Sequence, residues 1–319
     1  MKPKISVIVC VYNGKKHIKN CLDSILKQDF VNFEVLCVDG GSTDNSRKLI
    51  ESYAKRDKRV NLLINKKRLP EGKGKGKWLG FKRSKGEIIG IIDQDNVLQN
   101  KEVFRKVIDI MAKNEKTVGI LGGMKHNKSD HAIVRYVSLF GTDSFFAYRS
   151  ADFLVNFLDK GRELKVMPMK LDNMIFTGGN CFFYKRKDLE EVGGYDQDVL
   201  VIQRLIGKNK RELIILSDTT KHYAEENLFK LAKKKIKWGT TYFIDQEEKF
   251  NYFPATVLER KTFIKNIMFN LSFLPNFIYS MEVYKKKEDK IAFLFPLMAF
   301  LNTLSYAANF LTSKLRRVI

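Results

Sequence analysis

Residues 86–97 read GEIIGIIDQDNV, an apolar, β-branched run that ends in two carboxylates one residue apart, Asp93 and Asp95. Four to eight such residues bounded by polar ones predict a buried strand, which places both carboxylates at its carboxyl end. Ligands of open α/β sheets bind at that edge. Carboxylates spaced i, i+2 in a turn can hold a hard divalent cation against a pyrophosphate, yet an Asp-rich turn that merely ends a strand has the same composition. Three residues alone do not separate the two readings.

The segments before this strand alternate in character. ISVIVCVY (Ile5 to Tyr12) predicts a strand, and KKHIKNCLDSILKQ an amphipathic helix with Ile18, Cys21, Leu22, Ile25 and Leu26 at helical spacing. FEVLCVD (Phe33 to Asp39) is a second strand, and GGSTDNS then opens the helix SRKLIESYAKRD, with Ser42, Thr43 or Asp44 as its cap. VNLLINK predicts a third strand and GKWLGFKRSKG a short helix before GEIIGIID. Strand and helix alternating at this rhythm predict an α/β fold with a mostly parallel sheet covered on both faces. Asp39 ends its strand as Asp93 does, where a carboxylate can read the imide or hydroxyl groups of a nucleoside.

With 58 Lys and Arg against 36 Asp and Glu the chain carries a formal charge of +22, which favours anionic partners without choosing among them. Length and a 44% hydrophobic content suffice for one large domain, or a domain with an appendage, and exclude a disordered tail. Cys10, Cys21, Cys37 and Cys181 have no CxxC spacing, and Cys10 and Cys37 lie in strand-like runs, so free thiols in a reducing compartment are expected. Met-Lys-Pro-Lys passes directly into a strand without the pattern of a signal peptide, which predicts a cytoplasmic location for the bulk of the chain.

Taken in order, SVIVCVYNGKKHIKNCLDSILKQ, EVLCVDGGSTDNS, SKGEIIGIIDQDN and FTGGNCFFYKRKDLEEVGGYDQD closely resemble the family 2 glycosyltransferases over roughly residues 5–225. The resemblance implies a GT-A nucleotide-sugar-binding fold with a mixed, mostly parallel sheet. It implies that Tyr12, Asn13 and Asp39 hold the donor's nucleoside, and that Asp93 and Asp95 are a metal-binding pair for Mg²⁺ or Mn²⁺, with Asp95 the more direct ligand. The metal would neutralise the nucleoside diphosphate leaving group as a Lewis acid. Inverting transfer also needs a base for the acceptor's hydroxyl proton, unless the acceptor is already an anion. The family commonly places an Asp for this in a Glu-Asp pair six residues before Arg-Leu. Here Arg204-Leu205 follows Asp198 by six, and the pair reads Gln197-Asp198, so Asp198 is the candidate base and Asp196 its competitor.

Residues 66–85, KKRLPEGKGKGKWLGFKRSK, hold nine basic side chains and one acidic one. Such a loop can bring N–H groups and ammonium heads onto phosphates, or remain a solvated charge run. The family pattern carries an Arg near Lys77 and an Asn near Trp78; Lys77 can still serve a phosphate, as a point charge without the guanidinium fork. By the same resemblance His222 can complete the metal site. KLAKKKIKWG (Lys230 to Gly239) is similar to a basic stretch of membrane-associated members, and has the composition of an ordinary amphipathic helix too.

IAFLFPLMAFLNTLSYAANFL (Ile291 to Leu311) has no charge in 21 residues, about the span of a bilayer's hydrocarbon, and basic residues flank it. Pro296, Asn302, Ser305 and Asn309 leave a re-entrant or interfacial helix as the alternative. Asn266 to Met281, Phe-rich and broken by Pro275, predicts a surface-embedded element or hairpin partner. The expected organisation is a catalytic domain over 1–225, a basic connecting region over 226–265 and membrane-associated helices over 266–319. The expected function is transfer of a sugar from a nucleoside diphosphate donor to a lipid-linked or growing surface-glycan acceptor at the cytoplasmic face of the membrane. Alternatives are a synthase using a polyprenyl phosphate as acceptor and a catalytically silent membrane-bound relative. Nucleic acid is not an expected partner, because the aromatic-interleaved basic motifs of RNA modules are absent.

Overall fold

The computed structural model describes residues 2–65, 75–140, 164–169, 180–195, 198–223, 227, 230 and 260–304. Part of the basic loop (66–74), Asp196 with Gln197, and the basic stretch beyond Lys230 lie outside the described residues. The described residues fall into two compact units, one of those within 2–125, 164–169 and 180–223, the other of 126–140, 227, 230 and 260–304.

The first unit is built on nine strands in the order β3-β2-β1-β4-β8-β6-β9-β5, with β7 also on β9. β1 (Ile5–Val11), β2 (Phe33–Asp39), β3 (Val60–Ile64) and β4 (Ile88–Ile91) run parallel. Every side chain of β1 is buried, as a central parallel strand covered on both faces requires. One face of β1 joins a core with α1 (Ile18–Leu26), α2 (Ser46–Arg56) and α4 (Val103–Lys113) through Ile18, Leu22, Ile50, Phe104 and Val107. On the other face lies α3 (Lys75–Arg83), drawn close by glycines one turn apart. A Cβ on Gly80 would stand 2.5 Å from Ile8, and one on Gly76 3.0 Å from the Cys10 sulfur. The helix thus rests its backbone on β1, which sets where Lys77 and Trp78 project.

Beyond β4 the sheet is mixed. β8 (Phe182–Lys185) is antiparallel to both β4 and β6 (Thr117–Met124), β6 is parallel to β9 (Glu212–His222), and β5 (Asn96–Leu98) and β7 (Leu164–Pro168) are antiparallel to β9. α6 (Arg186–Glu191) and α7 (Asp198–Gly207) follow β8. The four cysteines are buried and none is in a disulfide. At α2 the cap differs in detail from the expectation: Asn45 occupies the cap position in a left-handed conformation without a side-chain bond, and Asp44 Oδ1 accepts the Ser46 N–H at 3.1 Å.

The second unit consists of α5 (Ala132–Phe140), α8 (Arg260–Leu271), α9 (Phe273–Lys287), a 3₁₀ turn (Lys290–Leu294) and α10, described over 295–304. Phe140, Tyr279 and Phe295 form its aromatic centre, with ring centroids 4.8 to 6.0 Å apart. Asp289, almost fully buried, accepts from Arg135 and lies 3.4 Å from His126 Nε2. It also caps the 3₁₀ turn by accepting the Ile291 N–H.

Two expectations are corrected here. The interruption within 266–281 falls at Ser272, whose backbone is extended, and not at Pro275. Pro275 sits in the first turn of α9, where its missing N–H would have had no helical partner. The Asn276 amide instead turns back onto the carbonyls of Phe269 and Ser272, each at 2.8 Å. The uncharged run from Ile291 is also not one α-helix: it opens as a 3₁₀ turn under the Asp289 cap before α10 begins. Among the described residues no helix is long and apolar enough to cross a membrane.

Candidate functional site

The parallel strands end in the features the sequence led one to expect, and their polar groups are interlocked. After β1 the chain turns through Asn13, at φ 48°, whose Oδ1 accepts the Thr43 N–H at 2.8 Å while its own N–H donates to Ser42 Oγ at 3.0 Å. Asn tolerates the left-handed region better than most residues. The loop after β2 is thereby tied to the loop after β1. Tyr12 is 51% exposed, with its ring beside Gly40. Asp39, completely buried, accepts from Arg47 Nη2 at 2.6 Å and Nε at 2.9 Å, and from the backbone N–H of Ser42 at 3.1 Å. Burial alone would raise its pKa, but the bonds from Ser42 and Arg47 outweigh it and hold the carboxyl below the usual carboxylate value.

At the end of β4 the Asp93-Gln94-Asp95 turn is pinned from three sides. Asn96 N–H donates to the Asp93 carbonyl, Tyr223 N–H to the Asp95 carbonyl, and Gln94 bonds the backbone of Tyr12 in both directions at 3.1 and 3.2 Å. The antiparallel pairing of β5 with β9 sets Asn96 opposite His222. That register brings His222 Nε2 to 3.3 Å from Asp95 Oδ2. His222 Nδ1 is buried with no hydrogen-bond partner, so Nε2 is the nitrogen directed at the carboxylate.

Asp93 faces another way, toward Lys77 Nζ at 3.7 Å. The same ammonium donates to both oxygens of Asp198, at 3.0 and 3.1 Å, joining residues 121 apart in sequence. Tyr195, fully buried and edge-on to Tyr184, donates its hydroxyl to Asp198 Oδ1. Asp198 is the first residue of α7, placed there by the turn at Gly193 and Gly194, whose φ values are 88° and 96°. A Cβ on Gly194 would fall 2.5 Å from Trp78, so Trp78 acts as a floor for this turn.

The electrostatics follow from these contacts. Burial raises the Asp93 carboxyl above its ordinary value, with Asp95 and Asp198 adding to the rise and Lys77 opposing it. Burial opposes the charge on Lys77, but Asp198 and then Asp93 more than offset it and hold the ammonium well above its ordinary pKa. Burial, followed by the nearby Asp198 charge, keeps Tyr195 protonated and hence a donor.

The structure therefore brings together Asp95 with His222, and Asp93 with Lys77 and Asp198; Tyr12, Asn13 and Asp39 stand on the neighbouring strand ends. Asp196 lies outside the described residues. Gln94, Arg47 and Tyr195 escape a reading of the sequence. Gln94 could have been noticed as a bonding side chain between two carboxylates, whereas Arg47 and Tyr195 carry no local signal. Among the described residues no three His, Cys, Asp or Glu side chains form a ready metal cage. Asp95 Oδ2 and His222 Nε2 do fit an incomplete one: two ligands each about 2.1 Å from one ion and about 90–110° apart are separated by about 3.0–3.4 Å.

Several curated proteins and solved structures resemble the chain. Glycosyltransferase GlyG of Streptococcus pneumoniae serotype 4 is 32% identical over 138 residues, 43% of this chain and 45% of GlyG. Poly(ribitol-phosphate) beta-N-acetylglucosaminyltransferase TarS of Staphylococcus aureus is 36% identical over 105 residues, 32% of this chain and 18% of TarS. The matched region thus spans less than half the length of either relative. In fold, the chain is similar to the mannosyltransferase PcManGT from Pyrobaculum calidifontis, solved with GDP-Man and Mn²⁺, at a TM-score of 0.58 and 16% identity, covering 97% of this chain and 88% of that one. TarS residues 1–349 with UDP-GlcNAc give a TM-score of 0.51 and 19% identity over 98% of this chain and 91% of that one. The shared architecture is the GT-A fold. Residues 6–193, more than half of the chain, match the model of glycosyl transferase family 2, and the chain belongs to that family.

Proposed function

We propose that the protein transfers a sugar, with inversion, from a nucleoside diphosphate donor to a lipid-linked or growing glycan acceptor at the cytoplasmic face of a membrane. The observation that carries the transferase reading is the convergence of the Asp95–His222 pair with the Asp93–Lys77–Asp198 chain beside the loops holding Tyr12, Asn13 and Asp39. The exposed Tyr12 ring suits a nucleoside by stacking, and Asp39, buried and already accepting from Arg47 and Ser42, orders the loop beside it that would hold the nucleoside. Asp95 and His222, with Asp93 beside them, would hold Mg²⁺ or Mn²⁺, which supplies charge neutralisation for the departing diphosphate. Lys77 adds a positive charge for the same phosphates.

In the transfer itself the acceptor oxygen forms a bond to the anomeric carbon as the bond from that carbon to the β-phosphate oxygen breaks. The acceptor's proton passes to Asp198, whose Oδ1 is oriented by Tyr195. A panel of UDP- and GDP-linked sugars with Mn²⁺ tests the reading. At least one donor should raise the melting temperature and be hydrolysed slowly without acceptor; no response to any donor, with or without metal, would refute it.

The membrane location is supported by the apolar surface of the second unit, whose interior combines the aromatic centre with polar side chains. Its interior holds Asn270, Asn276, Ser280, Asn302 and Thr303, while Phe273 and Leu274 are 73% and 67% exposed and Ile278, Met281, Leu297 and Leu301 are exposed alongside them. Apolar groups outside and hydrogen-bonding groups inside suit contact with lipid, and Lys285 to Lys287 at the end of α9 suit anionic headgroups. The full chain should float with vesicles containing anionic lipid and stay bound in 1 M salt. Release by salt alone would reduce the contact to electrostatics, and no flotation would overturn the location.

A further inference from the structure

The residue proposed to bind phosphate and the residue proposed to accept the proton are bonded to each other. Lys77 Nζ lies within 3.1 Å of both Asp198 oxygens and 3.7 Å from Asp93, and its side chain is only 15% exposed. A carboxylate that receives both an ammonium and the Tyr195 hydroxyl has three of its roughly four accepting positions occupied and its charge compensated. The second donor is fixed and the first is not. Tyr195 is fully buried against Tyr184 on a turn held by Gly194 and Trp78. Lys77 has four rotatable side-chain bonds and sits between Asp198 and the turn where the donor's diphosphate is placed above.

We propose that Lys77 is a positioning residue that couples the donor to the base: it neutralises Asp198 while the donor site is empty and passes to the diphosphate when a donor binds. This rests on the transferase reading above. A diphosphate carries more negative charge than one carboxylate and offers several acceptor oxygens, so it competes effectively for the ammonium. On the transfer of Lys77, Asp198 keeps the Tyr195 bond, and with it its orientation, while its other oxygen becomes free. Acceptor deprotonation is then tied to the presence of a donor. No bond other than these hydrogen bonds changes in the step.

The coupling has a consequence in binding alone, so neither acceptor nor sugar need be known. Part of the donor's binding energy is used to separate Lys77 from Asp198; without the carboxylate that cost disappears. Calorimetric titration of the full chain with UDP and with GDP, each with Mn²⁺, reads it out. Asp198→Asn should tighten the nucleotide that binds by about five- to tenfold, the scale of one partly buried ion pair. Lys77→Met should weaken it by a similar factor. In the Lys77→Met background Asp198→Asn should change nothing, whereas in Lys77→Arg, which keeps the charge, it should again tighten binding. Equal tightening by Asp198→Asn with and without Lys77 would show only relief of general repulsion and overturn the proposal, as would no tightening in the otherwise native chain. If the native chain binds neither UDP nor GDP, the donor reading itself fails and the coupling fails with it, an outcome distinct from binding without coupling.

Discussion

Asp95→Ala is expected to remove metal-dependent binding of a nucleoside diphosphate, lowering affinity in Mn²⁺ by at least about 100-fold, with the melting temperature little changed. The Asp95 side chain meets His222 Nε2 at 3.3 Å, and these are the two groups spaced as ligands of one ion. The turn that presents them does not depend on that carboxylate. It is held by the Asn96 and Tyr223 N–H groups on backbone carbonyls and by Gln94 on Tyr12, all of which the substitution leaves in place. Titration of the variant with and without chelator makes the comparison. Affinity equal to that of the native chain in Mn²⁺ would remove the metal assignment from this turn. His222→Ala should weaken binding less, since an imidazole brings no negative charge to the ion.

The second large effect concerns Asp198. Asp198→Asn retains shape and the capacity to accept from Tyr195 and removes basicity, so turnover on a hydroxyl acceptor should fall by about 10²- to 10⁴-fold while nucleotide binding is strengthened. The discriminating measurement is a comparison of acceptors. An acceptor whose attacking group is a phosphate oxygen has no proton to give up, and turnover on a polyprenyl phosphate should survive the substitution. Loss of activity in Asp196→Asn with Asp198→Asn unaffected would transfer the base to the neighbouring carboxylate.

The parallel half of the fold was legible because its signals are local. Four apolar runs, the second ending in Asp39 and the fourth in Asp93 and Asp95, each followed or preceded by a helical period, identify β1 to β4. The same holds for the burial of Cys10 and Cys37. The pairings that complete the site are not local. Lys77 meets Asp198 across 121 residues because β8 enters the sheet antiparallel beside β4 and its following turn returns over α3. His222 meets Asp95 because β5 and β9 share a register that two isolated strand patterns do not specify. Trp78, which reads as a departure in a donor-binding segment, is explained by its contact with Gly194. The break at Ser272 was concealed by Pro275, a residue that more often ends a helix than sits in its first turn.

The join between Arg135 and Asp289 spans 154 residues of chain. α5 buries Ile133, Tyr136, Val137 and Phe140, and the groups it meets, Tyr279 and Phe295 among them, are translated long after it. At about 5–20 residues per second, α5 leaves the ribosome roughly 8–30 s before Asp289 does. For that interval α5 lacks the partners that Tyr279, Asp289 and Phe295 supply, while strands that follow it in sequence are being assembled. Premature termination anywhere between the two would strand it permanently. Nascent chains of this protein should therefore be more dependent on chaperones than their first hundred residues suggest.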